Sequence, residues 1–338
     1  MRFQIDVIVW RGAIAESRHR VQAAVCDADA RLEAATVQAG IVTTFRSAAK
    51  PFQLLPLVER RHADRWGWSD EQLAVMAASH TGSPEHIALV TGILDRLGLT
   101  EGHLACGYHE PLDPISLEHL RSHPEARSSV YNNCSGKHAG MLCLAVSEGW
   151  PVEGYHLPDH PVQRAMAQSV AEVCGVGMES LVTAVDGCNV PVFGLPLVAM
   201  ARGYARLAAA TPDGDAREVA LDRIRRAMCA HPKAVGGDGR FSTVLMQRTG
   251  GRMVAKGGAE GLECVGLPAR RLGLAVKCED GQGRGLAPAT LGVLEHLGAL
   301  SPDERSGLEE WRRPIMTNHA GREVGTLEAV IKVLATTA

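Results

Sequence analysis

The sequence contains no run of basic residues that could follow a phosphate backbone, no CxxC pair and no uninterrupted apolar segment of membrane-spanning length. Lys and Arg total 35 against 38 Asp and Glu, a formal net charge of −3, so no nucleic-acid partner is expected. The longest apolar stretch, Val190–Ala201, is broken by Pro191, Gly194 and Pro196, so no membrane association is expected either. Nine cysteines without paired spacing read as reduced thiols, not as a disulfide framework. The opening Met1-Arg2-Phe3-Gln4-Ile5-Asp6 places charge inside its apolar stretch and is followed by no small-residue cleavage site; the expectation is a cytoplasmic protein without a secretory signal. Also missing are a G-x-S-x-G elbow, a P-loop, a G-x-G-x-x-G turn after a strand and an H-E-x-x-H helix. Nucleotide and dinucleotide chemistry thereby lose their usual support.

What is present is ordinary globular composition, 46% hydrophobic and 22% charged over 338 residues, enough to bury a substantial core. Residues 4–11 and 20–28 alternate Val and Ile with polar positions and read as an antiparallel pair separated by Ser17-Arg18-His19-Arg20. From about 47 to 230 the apolar residues recur every three or four positions, so the middle of the chain reads as helical. Ser242–Met246, Gly251–Lys256 and Leu272–Cys278 read as short strands, and 287–300 as a further helix. Strands at both ends around a helical middle predict an α+β fold, with an antiparallel sheet from about 1–45 and 240–285 within a single domain spanning 1–338.

Lysine is scarce: six residues against twenty-nine arginines. Arginine stays protonated, whereas a buried lysine can lose its proton and act as a base, so each lysine deserves a chemical reading. Lys50 follows Ser47 by three positions at the opening of a helix, which puts hydroxyl and amine on one face. A serine beside a neutral amine is a nucleophile with its base, and the positive end of the helix favours both the neutral amine and a developing anion. Alone, Ser-x-x-Lys also fits an exposed helix-start serine with a surface lysine; Ala48, Ala49 and Pro51 favour a buried, rigid first turn. Lys256 ends a strand that runs into Gly257-Gly258, which alone reads as a hairpin turn and, paired with the upstream motif, resembles the Lys-Thr/Ser-Gly strand of serine β-lactamases and penicillin-binding proteins.

Lys137 stands in Asn132-Asn133-Cys134-Ser135-Gly136-Lys137-His138, and a second cysteine, Cys188, in Asp186-Gly187-Cys188-Asn189. Two thiolates and a deprotonated amine could hold zinc; a redox-sensitive thiol pair or two core cysteines are the alternatives. Ser79-His80 follows an apolar helix and reads alone as a helix end or cap. Pro158 separates His156 from His160 and argues against a shared metal, and His109-Glu110 is read the same way. Thr249-Gly250-Gly251 reads as a hairpin turn.

Taken together, Arg46-Ser47-Ala48-Ala49-Lys50-Pro51, Ala78-Ser79-His80, Asn133-Cys134-Ser135-Gly136-Lys137-His138, Asp186-Gly187-Cys188 and Ala255-Lys256-Gly257-Gly258-Ala259-Glu260-Gly261 resemble the Rhizobium-type L-asparaginases, the third structural class, related in fold to serine β-lactamases. The resemblance implies two serine–lysine pairs, Ser47 with Lys50 and Ser79 with Lys256, as the catalytic residues. It implies a zinc site from Cys134, Lys137 and Cys188, substrate contacts from Asp186, His80 and Arg46, and a homodimer. The implied reaction converts L-asparagine to L-aspartate and ammonia through an acyl-enzyme, with zinc tuning substrate binding. Glutaminase, a penicillin-interacting hydrolase and a non-catalytic zinc- or thiol-based amino-acid sensor are the rival readings. The match is not extended to Thr81-Gly82-Ser83-Pro84 or beyond about residue 286.

Overall fold

In the computed structural model, which describes residues 1–334, strand Arg2–Arg11 turns at Gly12 into strand Ile14–Asp27. Gly12 has a positive φ of 57°, so the hairpin closes where glycine meets no steric penalty. The segment Ser17–Arg20, expected to separate two strands, lies inside the second strand, with Ser17 opposite Val9 and Arg20 opposite Asp6. Arg18 and Arg20 are exposed and Ser17 is half-buried, while His19 is buried; the continuous buried stretch begins at Val21. Polarity there marked an exposed face, not a break.

Residue contacts group the chain into two units. The first takes residues 1–43, 196–209 and everything from 244 onward. Among the described residues it holds an eight-stranded sheet. Strand Glu323–Leu334 pairs antiparallel with Arg2–Arg11 from Leu334 opposite Arg2 to Thr326 opposite Trp10, so both chain ends do build one sheet. This terminal strand lies beyond the segments read as sheet from the sequence. Strands Leu272–Cys278, Leu262–Leu267 and Val254–Gly258 extend the sheet on the other side, with Val254–Gly258 at its edge. One short pairing is parallel, between Arg2–Arg11 and Leu32–Thr36, in a sheet whose other pairings among the described residues are antiparallel. Every residue of Leu262–Leu267 and Leu272–Cys278 is buried. Helix Leu197–Ala209 covers them, and Gly273 permits its approach: a Cβ there would overlap the Ala201 carbonyl oxygen.

The second unit, residues 44–195 and 210–243, is mainly helical, as the apolar spacing predicts. Helix Lys50–Glu59 is buried over Lys50–Val58 and is packed by helices Ser135–Glu148, Pro161–Cys174 and Ala216–Ala230. A helix apolar on all sides belongs in such a centre. Strands Val182–Val185 and Pro191–Pro196 form an antiparallel hairpin.

Residues Ser242–Met246 are helical, within Phe241–Arg248, not a strand. Thr243, Leu245 and Met246 are buried, and the Gly250 and Gly251 amides return to Gln247 O and Met246 O with both glycines at positive φ. Thr249-Gly250-Gly251 is therefore a helix C-terminal turn, not a hairpin turn. Short β-branched runs carry too little periodicity to separate the two conformations. Among the described residues no helix is long and apolar enough to cross a membrane.

Candidate active site

The site in the helical unit begins with a strained entry into its central helix. The Phe45 amide donates to Phe193 O at 2.7 Å, and Arg46 takes a positive φ of 46°, rare for a residue with a Cβ. A 3₁₀ turn, Arg46–Ala49, runs straight into Lys50–Glu59, with Pro51 in the first turn and the Lys50 amide on Ser47 O. Ala48 and Ala49 are buried, Ser47 is half-buried and Lys50 is 1% exposed, so the turn is buried as expected.

Lys50 Nζ donates to Ala78 O at 2.6 Å and to Cys134 Sγ at 3.2 Å. The side chain thus ties the Ser47 turn to the residue preceding Ser79 and to the cysteine loop. Its hydrogen bonds do not include Ser47 Oγ among the described residues. Burial drives its pKa below the ordinary lysine value; the Cys134 and Cys188 sulfurs oppose that shift and the Lys137 charge adds to it.

Ser79 follows helix Asp70–Met76, whose start carries a Ser69–Gln72 capping box. Its amide donates to Val235 O at 3.0 Å, and the Asn133 carboxamide nitrogen lies 3.5 Å from its hydroxyl. His80 is completely buried, with both ring nitrogens engaged: Nδ1 accepts from the Gly82 amide and Nε2 donates to Ser135 Oγ, which donates to Val130 O. That network assigns the proton to Nε2.

The Asn132 carboxamide donates to Cys106 O and Gly107 O and accepts from the Cys134 amide at 2.8 Å. The Asn133 amide donates to His109 Nε2 at 2.9 Å, so this histidine shapes the loop. These asparagines and His109 have no role in the sequence reading; their only signal was an unusually polar segment between apolar runs. Cys134 occupies the position just before helix Ser135–Glu148, and Gly136 allows the helix start to pass Val75, whose carbonyl oxygen a Cβ would overlap.

Lys137 Nζ donates to Cys188 Sγ at 3.0 Å. Cys188 sits in the loop after Val182–Val185, closed by the Asp186 amide on Val190 O and by Asn189 at a positive φ of 71°. The Cys188 thiol donates to Cys134, which holds the Cys134 pKa well below the ordinary thiol value against burial, with the Lys50 and Lys137 charges adding to the effect. The same hydrogen bond, with burial, pushes Cys188 up. Burial works against the Lys137 ammonium, yet the two sulfurs and nearby Asp186 hold its pKa above the usual value. Arg46 Nε pairs with Asp186 Oδ1 at 2.9 Å. Burial raises the Asp186 pKa, but the Lys137 and Arg46 charges outweigh it and hold the carboxyl below its usual range.

Nine of the ten residues singled out from the sequence thus lie in one unit, from Arg46 to Cys188. Lys256 belongs to the sheet unit; it is 3% exposed, stands on the edge strand opposite Cys264 and donates to Gly257 O at 2.9 Å. Among the described residues no three or more His, Cys, Asp or Glu side chains converge as for a metal. His160 accepts from the Val162 amide at a helix start and reaches Pro151 O.

No curated protein matches the chain. Among solved structures, the native form of Mglu in 4.3 M NaCl is similar to it, with 16% identity over 87% of this chain and 61% of its own, and a TM-score of 0.45. The chain thus spans about three fifths of that protein's length. A β-lactamase from Mycobacterium bovis is 14% identical over 86% of this chain and 95% of its own, with a TM-score of 0.40. The L-asparaginase II family profile matches residues 7–329, a span that takes in all the motif residues from Arg46 to Lys256, and the chain belongs to that family.

Proposed function

We propose that the protein is an L-asparaginase, hydrolysing the side-chain amide of L-asparagine to L-aspartate and ammonia through a Ser47 acyl-enzyme with Lys50 as base. The observation that carries this reading is the placement of Lys50 Nζ, buried and hydrogen-bonded to Ala78 O and Cys134 Sγ. A neutral amine has two N–H donors and one lone pair. With both donors directed at those two acceptors, the lone pair is left to accept the Ser47 proton, and burial favours that neutral form.

Ser47 Oγ then attacks the carboxamide carbon, its proton passing to Lys50 as the Oγ–C bond forms. Collapse of the tetrahedral intermediate breaks the C–N bond, and the leaving nitrogen takes a proton to depart as ammonia. Water attacks the resulting ester, returns a proton to Ser47 and releases aspartate. Ser79 and Lys256 are assigned proton relay to the leaving group, by the resemblance of Ala78-Ser79-His80 and Ala255-Lys256-Gly257 to the family's motifs. Asp186, kept ionised beside Arg46, is assigned the substrate's α-ammonium, and Arg46 its carboxylate.

The donor set of Cys134, Cys188 and Lys137 fits zinc once it is deprotonated: two buried sulfurs that share a proton and the Lys137 ammonium on one of them, whose protons the metal would displace. Zinc bound there would supply a fixed positive charge beside Asp186. The residues themselves keep Asp186 oriented, through the Gly187 amide and Arg46.

The test is ammonia release from L-asparagine and L-glutamine by the wild type and Ser47→Ala, with metal content measured on the same samples. Asparagine-selective release lost in the variant supports the reading. Release unchanged by Ser47→Ala would remove the acyl-enzyme, and ligand binding without any release would favour an amino-acid sensor.

A further inference from the structure

We propose that Lys277 is a positioning residue that fixes the hairpin turn immediately following the strand that carries Lys256. The inference rests on the proton-relay role assigned to Lys256 above. Lys277 is one of only six lysines and has no part in the motifs. It lies on strand Leu272–Cys278 opposite Leu262, is 7% exposed, and directs its ammonium at two backbone carbonyls, Glu260 O at 2.7 Å and Cys278 O.

The turn it grips is strained. Glu260 and Gly261 are consecutive left-handed residues, at φ 61° and 68°, and Glu260 has a Cβ that disfavours this region. The following loop is packed against the turn: the Cys278 amide donates to Gly261 O at 2.8 Å, a Cβ on Gly261 would come within 2.9 Å of the Cys278 Cβ, and one on Gly281 within 2.8 Å of Glu260 Oε2. A charged donor on the Glu260 carbonyl holds the peptide in an orientation that Glu260 would otherwise leave.

The conformation matters because of what precedes it. Val254–Gly258 is an edge strand, paired in the sheet along one side by Leu262–Leu267, and its last two residues are glycines. An edge strand ending in glycines has little stiffness of its own. The ladder opposite Cys264 and the hairpin tip together set its position at Lys256, and the tip is tied by Lys277 to the end of a strand buried along its whole length.

The test is steady-state kinetics of Lys277→Met, with Lys256→Ala measured alongside and Glu260→Gly added to the first variant. Lys277→Met is expected to lower kcat for L-asparagine about tenfold or more, with KM within about twofold of wild type, because relay geometry and not ground-state binding is disturbed. Glu260→Gly in that background is expected to restore kcat to within about threefold, because glycine adopts the left-handed conformation unaided. Wild-type kcat in Lys277→Met, or a loss that Glu260→Gly does not rescue, overturns the inference. If Lys277→Met does not fold, Lys277→Gln, which keeps a neutral donor, is read by the same criteria. Wild-type kcat in Lys256→Ala would instead withdraw the relay role itself, whereas an inactive Lys256→Ala beside a fully active Lys277→Met rejects the positioning role alone.

Discussion

Arg46 Nε lies 2.9 Å from Asp186 Oδ1, joining the residue before the candidate nucleophile to the residue two before a candidate zinc ligand. The pair is mostly buried, with Arg46 held at positive φ and Asp186 in a closed loop. Two opposite charges fixed side by side are suited to the two charged groups of an α-amino acid.

Removing either charge should therefore weaken substrate binding more than turnover. Asp186→Ala and Arg46→Ala are each expected to raise KM for L-asparagine about tenfold to a hundredfold, with kcat changed less than about threefold. The double variant should fall short of the sum by about 0.5–3 kcal/mol, since the two side chains touch. Full additivity in a steady-state double-mutant cycle would separate their roles.

Lys50→Met should lower kcat by a factor of about 10²–10⁴, the usual range for a lost general base. The acid limb of the wild-type kcat/KM profile, set by Lys50 below the ordinary lysine value, should be absent from any residual activity. The sign for stability follows from the same shift. Between its depressed folded pKa and the ordinary value of 10.5, Lys50 binds more proton in the unfolded chain than in the folded one, so wild-type stability rises with pH across that window. Lys50→Met should lose this rise, as denaturant titrations at several pH values would read out.

Chelation should raise KM while leaving turnover at saturating L-asparagine in place, because the proposed nucleophile and base do not involve the metal. Cys188→Ser and Lys137→Ala should lower the zinc content measured by elemental analysis. A metal-stripped sample inactive at saturating substrate would give the metal an essential part in the chemistry.

Gly136→Ala should destabilise the helical unit by about 2–4 kcal/mol, as overpacking against backbone cannot relax by a rotamer change. The added methyl meets the Val75 carbonyl at the start of the helix that carries Lys137. A thermal midpoint equal to wild type would show that the two helices have room to separate.

The sequence by itself carried the α+β class, the helical middle, the contribution of both ends to one sheet and the motif residues, because apolar period and unusual polar clusters are local signals. It also carried the burial of the Ser47 turn through Ala48, Ala49 and Pro51. It could not carry the helix at Ser242–Met246, where a five-residue run has too little periodicity and the decision fell to burial and the closing glycines. The parallel pairing of Leu32–Thr36 and the terminal strand Glu323–Leu334 depended on partners far away in the chain.

Tertiary structure alone decided what the site's polar groups touch. Spacing placed Lys50 near Ser47, but its hydrogen bonds go to Ala78 and Cys134, which are 28 and 84 residues distant. Asp186 received Arg46 as partner, and the loop ahead of Cys134 received its support from Asn132 and His109. A hydrogen bond is short-ranged and directional, so which donor meets which acceptor is settled only when separate segments are packed together. Residue type and spacing named the chemical groups; burial and packing set their protonation and their partners.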